Sequence, residues 1–289
     1  MNITFLQMLT LDAVIRQGSI QSAARYLNKT HPSVITALKK LENELGFVLF
    51  DRSGYRSTLT SEGKAFYKSC QKILDDIDRL KTQAYHLSCG EEPELNIAIG
   101  DITPVPDTLK VLRKFSDNNK FTHLNLLFEN LGGTSACLLD GKADLIIHHI
   151  DKSDPRYEYK KFCEVPVVPV AAPDFLAIPV SNSLKYTDLE KYTQCIIRST
   201  ASETDDKNYF VLEQAPHITV GDQYTKKEII MQRMAWGHMP LFMIKDELDE
   251  GTLISIQGKF IKGHNLDIVV ARLHKAEHGT MSERLWQAF

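Results

Sequence analysis

Residues 18–46, GSIQSAARYLNKTHPSVITALKKLENELG, decide how the amino-terminal part of the chain folds. Ser19 offers a hydroxyl cap to a short helix whose buried stripe is Ala23, Ala24 and Leu27. Thr30 caps the next helix, which carries a proline in its first turn at His31-Pro32. Its apolar face is Val34, Leu38, Leu41 and Leu45, and Gly46 ends it. Upstream, Phe5, Leu6, Leu9 and Ala13 repeat at helical spacing, and Gly18 supplies the stop. Two short helices across a tight turn, the second polar on one face, make a helix-turn-helix.

The polar face of that second helix carries Ser33, Thr36, Lys39 and Lys40, with Lys29, Thr30, His31 and Pro32 at its start and Ser19 and Gln21 on the helix before. Short hydroxyls near a recognition helix's amino end reach base edges, and lysines further along meet phosphate. The segment Leu49-Phe50-Asp51-Arg52 and Tyr55-Arg56-Ser57 reads as a small wing, whose Arg52 and Arg56 suit a minor groove or a phosphate. A three-helix bundle with solvated charges is the plainer reading of the same pattern.

GSIQSAARYLNKTHPSV (18–34), LKKLENELGFVLFDR (38–52) and LTSEG (59–63) together resemble the winged helix-turn-helix of LysR-type transcriptional regulators, almost without gaps over the first 65 residues. The resemblance implies His31, Ser33 and Thr36 at DNA-facing positions. It also exposes departures: His31 stands where the family usually carries glutamine, Ile35 where it carries serine, and Thr36 where it carries a basic or amide side chain. Ile35 removes one hydroxyl from the DNA face and offers a thymine-methyl contact or inward packing instead.

Thr60 caps a helix running to about Ser88, with Glu62 favourable to its dipole. Phe66, Cys70, Ile73, Ile77, Leu80, Ala84 and Leu87 alternate spacings of four and three, the register of a coiled-coil seam. Self-pairing is preferred over an amphipathic helix lying on its own chain, and Cys70 reads as a small core residue. The resemblance implies a homodimer through this helix, two recognition helices on an inverted-repeat operator, a homotetramer through further contacts, and RNA polymerase as another partner.

Beyond Gly90-Glu91-Glu92-Pro93 the pattern alternates strand and helix, which implies parallel sheet and an α/β class. Strands are expected at 95–99, 124–128, 144–149, 165–170, 195–198 and 267–271. Helices are expected at 106–115, with Leu109 and Leu112 inward, and at 134–139, 224–236 and 282–289. LLDGKADLII (138–147) and, more loosely, RMAWGHMPLFMIKDELDEGTLI (233–254) resemble the family's effector domain, two Rossmann-like lobes similar to periplasmic solute-binding proteins. The expected division is a winged helix-turn-helix at 1–60, a linker helix at 61–89 and an effector domain at 90–289. Its first lobe covers 94–163 and 267–289, and its second 164–266.

Ligands in such folds lie at the carboxyl ends of strands. The candidates are Asp101, Ile102 and Thr103 after the first strand, Gly132, Gly133 and Thr134 after the second, and His148, His149 and Ile150 ending the third. In the second lobe they are Arg198, Ser199 and Thr200, with Gly237, His238, Met239 and Pro240 in a far turn. Hydroxyls, helix starts and Arg198 favour a carboxylate-bearing effector, while Asp101 suits an amine. The bland reading of each residue is a cap or a turn.

The 289 residues carry a net charge of −3, split into +4 over residues 1–89 and −7 over the rest, so a basic module precedes an acidic one. No apolar run reaches the ~20 residues of a membrane helix. Without an amino-terminal signal pattern, and with five scattered cysteines, the reading is cytoplasmic with no membrane partner. Adjacent His148 and His149 point to opposite strand faces, so no metal is expected. No G-x-S-x-G, P-loop or G-x-G-x-x-G supports an enzyme, and no cofactor is expected. Cys163 and Cys195, 32 residues apart, remain open as a redox pair. The function expected is a ligand-controlled DNA-binding regulator, with an architectural DNA binder or a solute-binding receptor as rivals.

Overall fold

The computed structural model describes residues 1–51, 57–201, 210–274 and 277–289. The chain forms two compact units, Met1–Ser88 and Cys89–Phe289.

In the first unit, helices α1 (Phe5–Gln17), α2 (Ile20–Tyr26) and α3 (His31–Leu45) precede strands β1 (Phe50–Asp51) and β2 (Thr58–Leu59), which pair antiparallel. Thr4, Ser19 and Thr30 each accept a backbone N–H as N-caps, and Gly18 and Gly46 end α1 and α3 in the left-handed conformation. The core joins Leu11, Val14, Ala23, Ala24, Val34, Leu38, Leu41, Leu49 and Cys70. The inward face of α1 is therefore Gln7, Thr10, Leu11, Ala13 and Val14. The expected Phe5 and Leu6 instead lie largely exposed.

Helix α4 (Ser61–Ser88) starts where the Thr60 hydroxyl accepts from Gly63 N at 2.9 Å. A side chain at Gly63 would overlap the Leu49 carbonyl, so the helix leaves the domain through a glycine-sized gap. The Tyr67 hydroxyl donates to Asp12 at 2.8 Å, tying α4 to α1. The seam expected along α4 divides: Phe66 and Cys70 pack into the winged-helix core, and Leu74 is buried as well. Ile73, Leu80, Ala84 and Leu87 are exposed and Ile77 half-buried.

In the second unit β3 (Glu94–Gly100), α5 (Val105–Asn118), β4 (His123–Glu129), α6 (Gly133–Leu139) and β5 (Leu145–His148) form parallel β-α-β connections. On α5, Thr108, Leu112 and Phe115 face inward; Leu109, expected inward, is exposed. Strand β6 (Tyr157–Ala171) then crosses the unit, followed by α7 (Tyr186–Leu189), β7 (Gln194–Ile197), β8 (His217–Val220) and α8 (Gln223–Met231). Next come β9 (Gly237–Pro240), α9 (Lys245–Glu250), β10 (Ile254–Ser255), β11 (His264–Leu273) and α10 (Thr280–Ala288). The main sheet runs β10-β6-β11-β5-β3-β4, with β9 also on β6, while β7 and β8 pair parallel.

Long antiparallel pairing of β6 with β11 joins two halves. Each half has its own apolar clusters, around Ile97, Ile147 and Leu285 in one and around Cys195, Ile230 and Met239 in the other. Helix α8 stops at Met231, short of the expected 236. Arg233 turns the chain left-handed at φ 60°, and Trp236 N bonds to Thr193 O instead.

Candidate functional site

On α3, His31, Pro32, Ser33, Thr36, Lys39 and Lys40 are all exposed, as are Ser19, Gln21, Lys29 and Thr30, whereas Ile35 is half-buried. The Ser33 hydroxyl donates to Thr30 O at 2.7 Å and the Thr36 hydroxyl to Pro32 O at 2.9 Å. Both oxygens keep acceptor capacity toward solvent but have spent their protons. Arg52 and Arg56 lie outside the described residues.

A cavity of about 270 Å³ opens in the second unit. Asp101 and Ile102 reach it from the turn after β3, Gly132 and Ser135 from around the start of α6, and His148, His149 and Ile150 from the end of β5. The opposite wall is Gln194 and Cys195 of β7, Gln223 and Lys226 of α8, and His238 and Pro240 of β9, with Phe210 and Leu266. Both adjacent histidines border the cavity because β5 ends at His148, so strand alternation does not separate them.

Thr103, Gly133, Thr134, Arg198, Ser199, Thr200, Gly237 and Met239 do not line the cavity. The Thr103 hydroxyl donates to Ile147 O at 2.7 Å, and Thr134 to Leu131 O at 3.3 Å. Arg198 is exposed, so the cation expected to favour a carboxylate lies elsewhere. The Ser199 hydroxyl accepts from Ala201 N at 3.2 Å. The far turn expected at 237–240 is strand β9, and pleating sends His238 and Pro240 to the cavity and Met239 into the core.

Hydrogen bonds strap the halves together. Gln223 Nε2 donates to Asp101 Oδ2 at 2.7 Å, Asn130 Nδ2 to Gly221 O at 2.6 Å, and Asn130 N to Thr200 Oγ1 at 2.9 Å. A Cβ at Gly133 would overlap Thr200 Oγ1, so that glycine permits the approach.

Electrostatically the cavity is unusual. His148 is buried with Nε2 3.9 Å from Asp101 Oδ1; burial pushes its pKa down, and Asp101 opposes that. Burial likewise lowers His238 to about 3, helped by Lys226 and His264, so this imidazole is neutral. Lys226 is 6% exposed, and burial lowers it to about 8 against the opposing pull of Cys195 and Asp101. Among the described residues, His148 Nδ1, Gln223 Oε1 and both His238 nitrogens have no hydrogen-bond partner. Buried polar atoms are normally satisfied, which sets this group apart from the rest of the domain's interior.

Lys226 and Gln223 were missed in the sequence. Their signal was periodicity: Gln223, Lys226 and Ile230 share the inward face of α8, and a lysine there calls for explanation. All five cysteines are free, and Cys163 and Cys195 pack in different clusters.

Residues 5–64 match the family described as bacterial regulatory helix-turn-helix protein, lysR family, and residues 89–289 match the LysR substrate binding domain. The chain belongs to the LysR family. Its relatives include the HTH-type transcriptional regulator YhaJ of Escherichia coli O157:H7, 28% identical over 272 residues, 93% of this chain and 90% of that protein. AceR of Acinetobacter baumannii is 26% identical over 254 residues, covering 85% and 82%. Among solved structures, ArgP from Mycobacterium tuberculosis shares the fold with a TM-score of 0.52 at 17% identity, covering 99% of this chain and 96% of that one. This LysR-type chain is thus a transcriptional regulator and not an enzyme, with a DNA-binding helix-turn-helix and an effector-binding domain. LysR regulators bind DNA and small-molecule effectors and oligomerise.

Proposed function

We propose that this LysR-type regulator reads an inverted-repeat operator through the exposed face of α3 and responds to a small molecule held in the 270 Å³ cavity. The observation that carries the reading is the set of buried, unpartnered polar atoms on His148, Gln223 and His238 inside the substrate-binding domain. A purely architectural DNA binder has no use for such a cavity. The exposed apolar stripe of Ile73, Leu80 and Leu87, with Phe5 and Leu6 also exposed on α1, supports a homodimer through α4. A homotetramer and contact with RNA polymerase extend the same proposal.

On this reading His31, Ser33 and Thr36 meet bases, and Lys29, Lys39 and Lys40 meet phosphates, with Ser19, Gln21, Thr30 and Pro32 beside them and Arg52 and Arg56 as further phosphate or minor-groove contacts. The test is a gel-shift series on operator and scrambled DNA. Lys40→Ala and Arg52→Ala weaken binding to both, by roughly tenfold at moderate salt, whereas Thr36→Ala changes the ranking of operator variants. Full affinity and unchanged preference in all three would remove this placement of the DNA face. Footprinting with and without a ligand found by thermal shift then tests the link between the two units.

A further inference from the structure

Lys226 and Lys227 sit side by side on α8 yet meet different fates. The Lys227 ammonium donates to Glu247 at 2.6 Å. Lys226, more deeply buried, has no hydrogen-bond or ion-pair partner among the described residues. Its stem passes close over β9, where a Cβ on Gly237 would lie 3.0 Å from Lys226 Cε. The glycine therefore clears the path that takes the ammonium to the cavity wall.

A buried cation without a counter-charge is costly, and a bound anion removes that cost. The charged and titratable groups acting on Lys226 are Asp101, from the turn after β3, and the Cys195 thiol of β7; His238 of β9 is coupled to it and in turn to His264 of β11. Asp101 is already committed, accepting from Gln223 Nε2 at 2.7 Å and Leu131 N at 3.5 Å. The imidazole of His238 is uncharged and supplies hydrogen bonds only. Of the two cations among the described lining residues, Arg156 is taken up by Asp154 at 2.7 Å, so Lys226 is the one left for an anionic group, and a second anionic group would face Asp101. Ile102, Leu131, Val167, Phe210 and Leu266 add apolar surface beside the polar lining of Ser135, Asp151 and Gln194.

We propose that the cavity takes a small monocarboxylate with an apolar body, its carboxylate seated on the Lys226 ammonium. This rests on the cavity being the effector site and adds the chemical class and the anchoring residue. Because Lys226 loses its proton near pH 8, carboxylate binding draws a proton onto it, and affinity falls above that pH.

The test uses the full chain and matched trios: hexanoate, hexanamide and norleucine; phenylacetate, phenylacetamide and phenylglycine. Thermal shift and calorimetry are run at about pH 6.5 and about pH 9.5, either side of the lysine's pKa. The expected result is stabilisation by at least one carboxylate over its amide and its amino acid, weakened at least about tenfold at the higher pH. Proton uptake is read from buffers of different ionisation enthalpy. Lys226→Met abolishes the carboxylate's effect, while the pH comparison on the unmodified chain needs no variant. No stabilisation by any carboxylate, equal binding of amide and acid, or preference for the amino acid overturns the proposal. If Ser135→Phe, which fills the cavity, abolishes carboxylate binding but Lys226→Met does not, the anchor is wrong and the cavity stands. Carboxylate binding that survives both variants removes the cavity as the site.

Discussion

His148 occupies space that only a glycine at position 100 leaves free: a Cβ there would overlap its Nδ1. Gly100→Ala must therefore displace a buried ring beside Asp101, at an expected cost of about 1–3 kcal/mol in urea unfolding. Two further residues set the pH response. Lys226 titrates near 8 in the fold against 10.5 in the open chain, so the unfolded state binds more protons between those values. Its penalty is full below about pH 8 and fades as pH rises toward 10.5. Lys226→Met is expected to stabilise the protein at neutral pH by up to about 3 kcal/mol, with the gain shrinking in alkali. His238 behaves with the same sign in acid. Its folded value of about 3 lies below the usual 6.5, so stability is intact above 6.5 and declines as pH falls toward 3. His238→Gln removes that decline. Urea midpoints measured from neutral pH into acid check it, and parallel curves for variant and parent would refute it.

At the scale of elements, α4 shows what a periodic sequence can and cannot say. Its alternating spacing marked an apolar seam over a 28-residue helix, about 42 Å long. Periodicity does not say which partner covers each part. Phe66 and Cys70 pack into the chain's own winged-helix core, whereas Ile73, Leu80 and Leu87 stand exposed. Substitutions should divide in the same way. Leu80→Glu with Leu87→Glu is expected to abolish self-association in sedimentation velocity with little loss of thermal stability in the monomer. Cys70→Asp should unfold the winged helix itself. Helix α3 was legible to its caps because Thr30, Pro32 and Gly46 are local signals. Strand β9 was not, since Gly-His-Met-Pro reads locally as a turn and becomes a strand only by pairing with β6. The cavity follows the same logic. Asp101 and His148 were visible as residues at strand ends and His238 as part of an expected turn, but Lys226 and Gln223 required knowing which face of α8 turns inward.

Taken whole, the molecule is a basic unit joined to an acidic one, +4 over residues 1–89 and −7 over the remainder. The two binding activities proposed for it should respond to salt with different steepness. Operator contacts by Lys29, Lys39 and Lys40 lie on an exposed surface, where each neutralised phosphate releases counterions. A dimer using about six such contacts should lose on the order of a thousandfold in affinity between about 50 and 200 mM salt. Ligand binding in the cavity is set by a buried ammonium, which bulk ions screen far less. Its affinity should change by no more than about threefold over the same range. Salt titrations of DNA binding by fluorescence anisotropy and of ligand binding by calorimetry, on one preparation, measure both slopes. Equal steepness would place the ligand on the exposed surface rather than beside Lys226. A flat DNA curve would mean that the basic face of α3 is not where the phosphates sit.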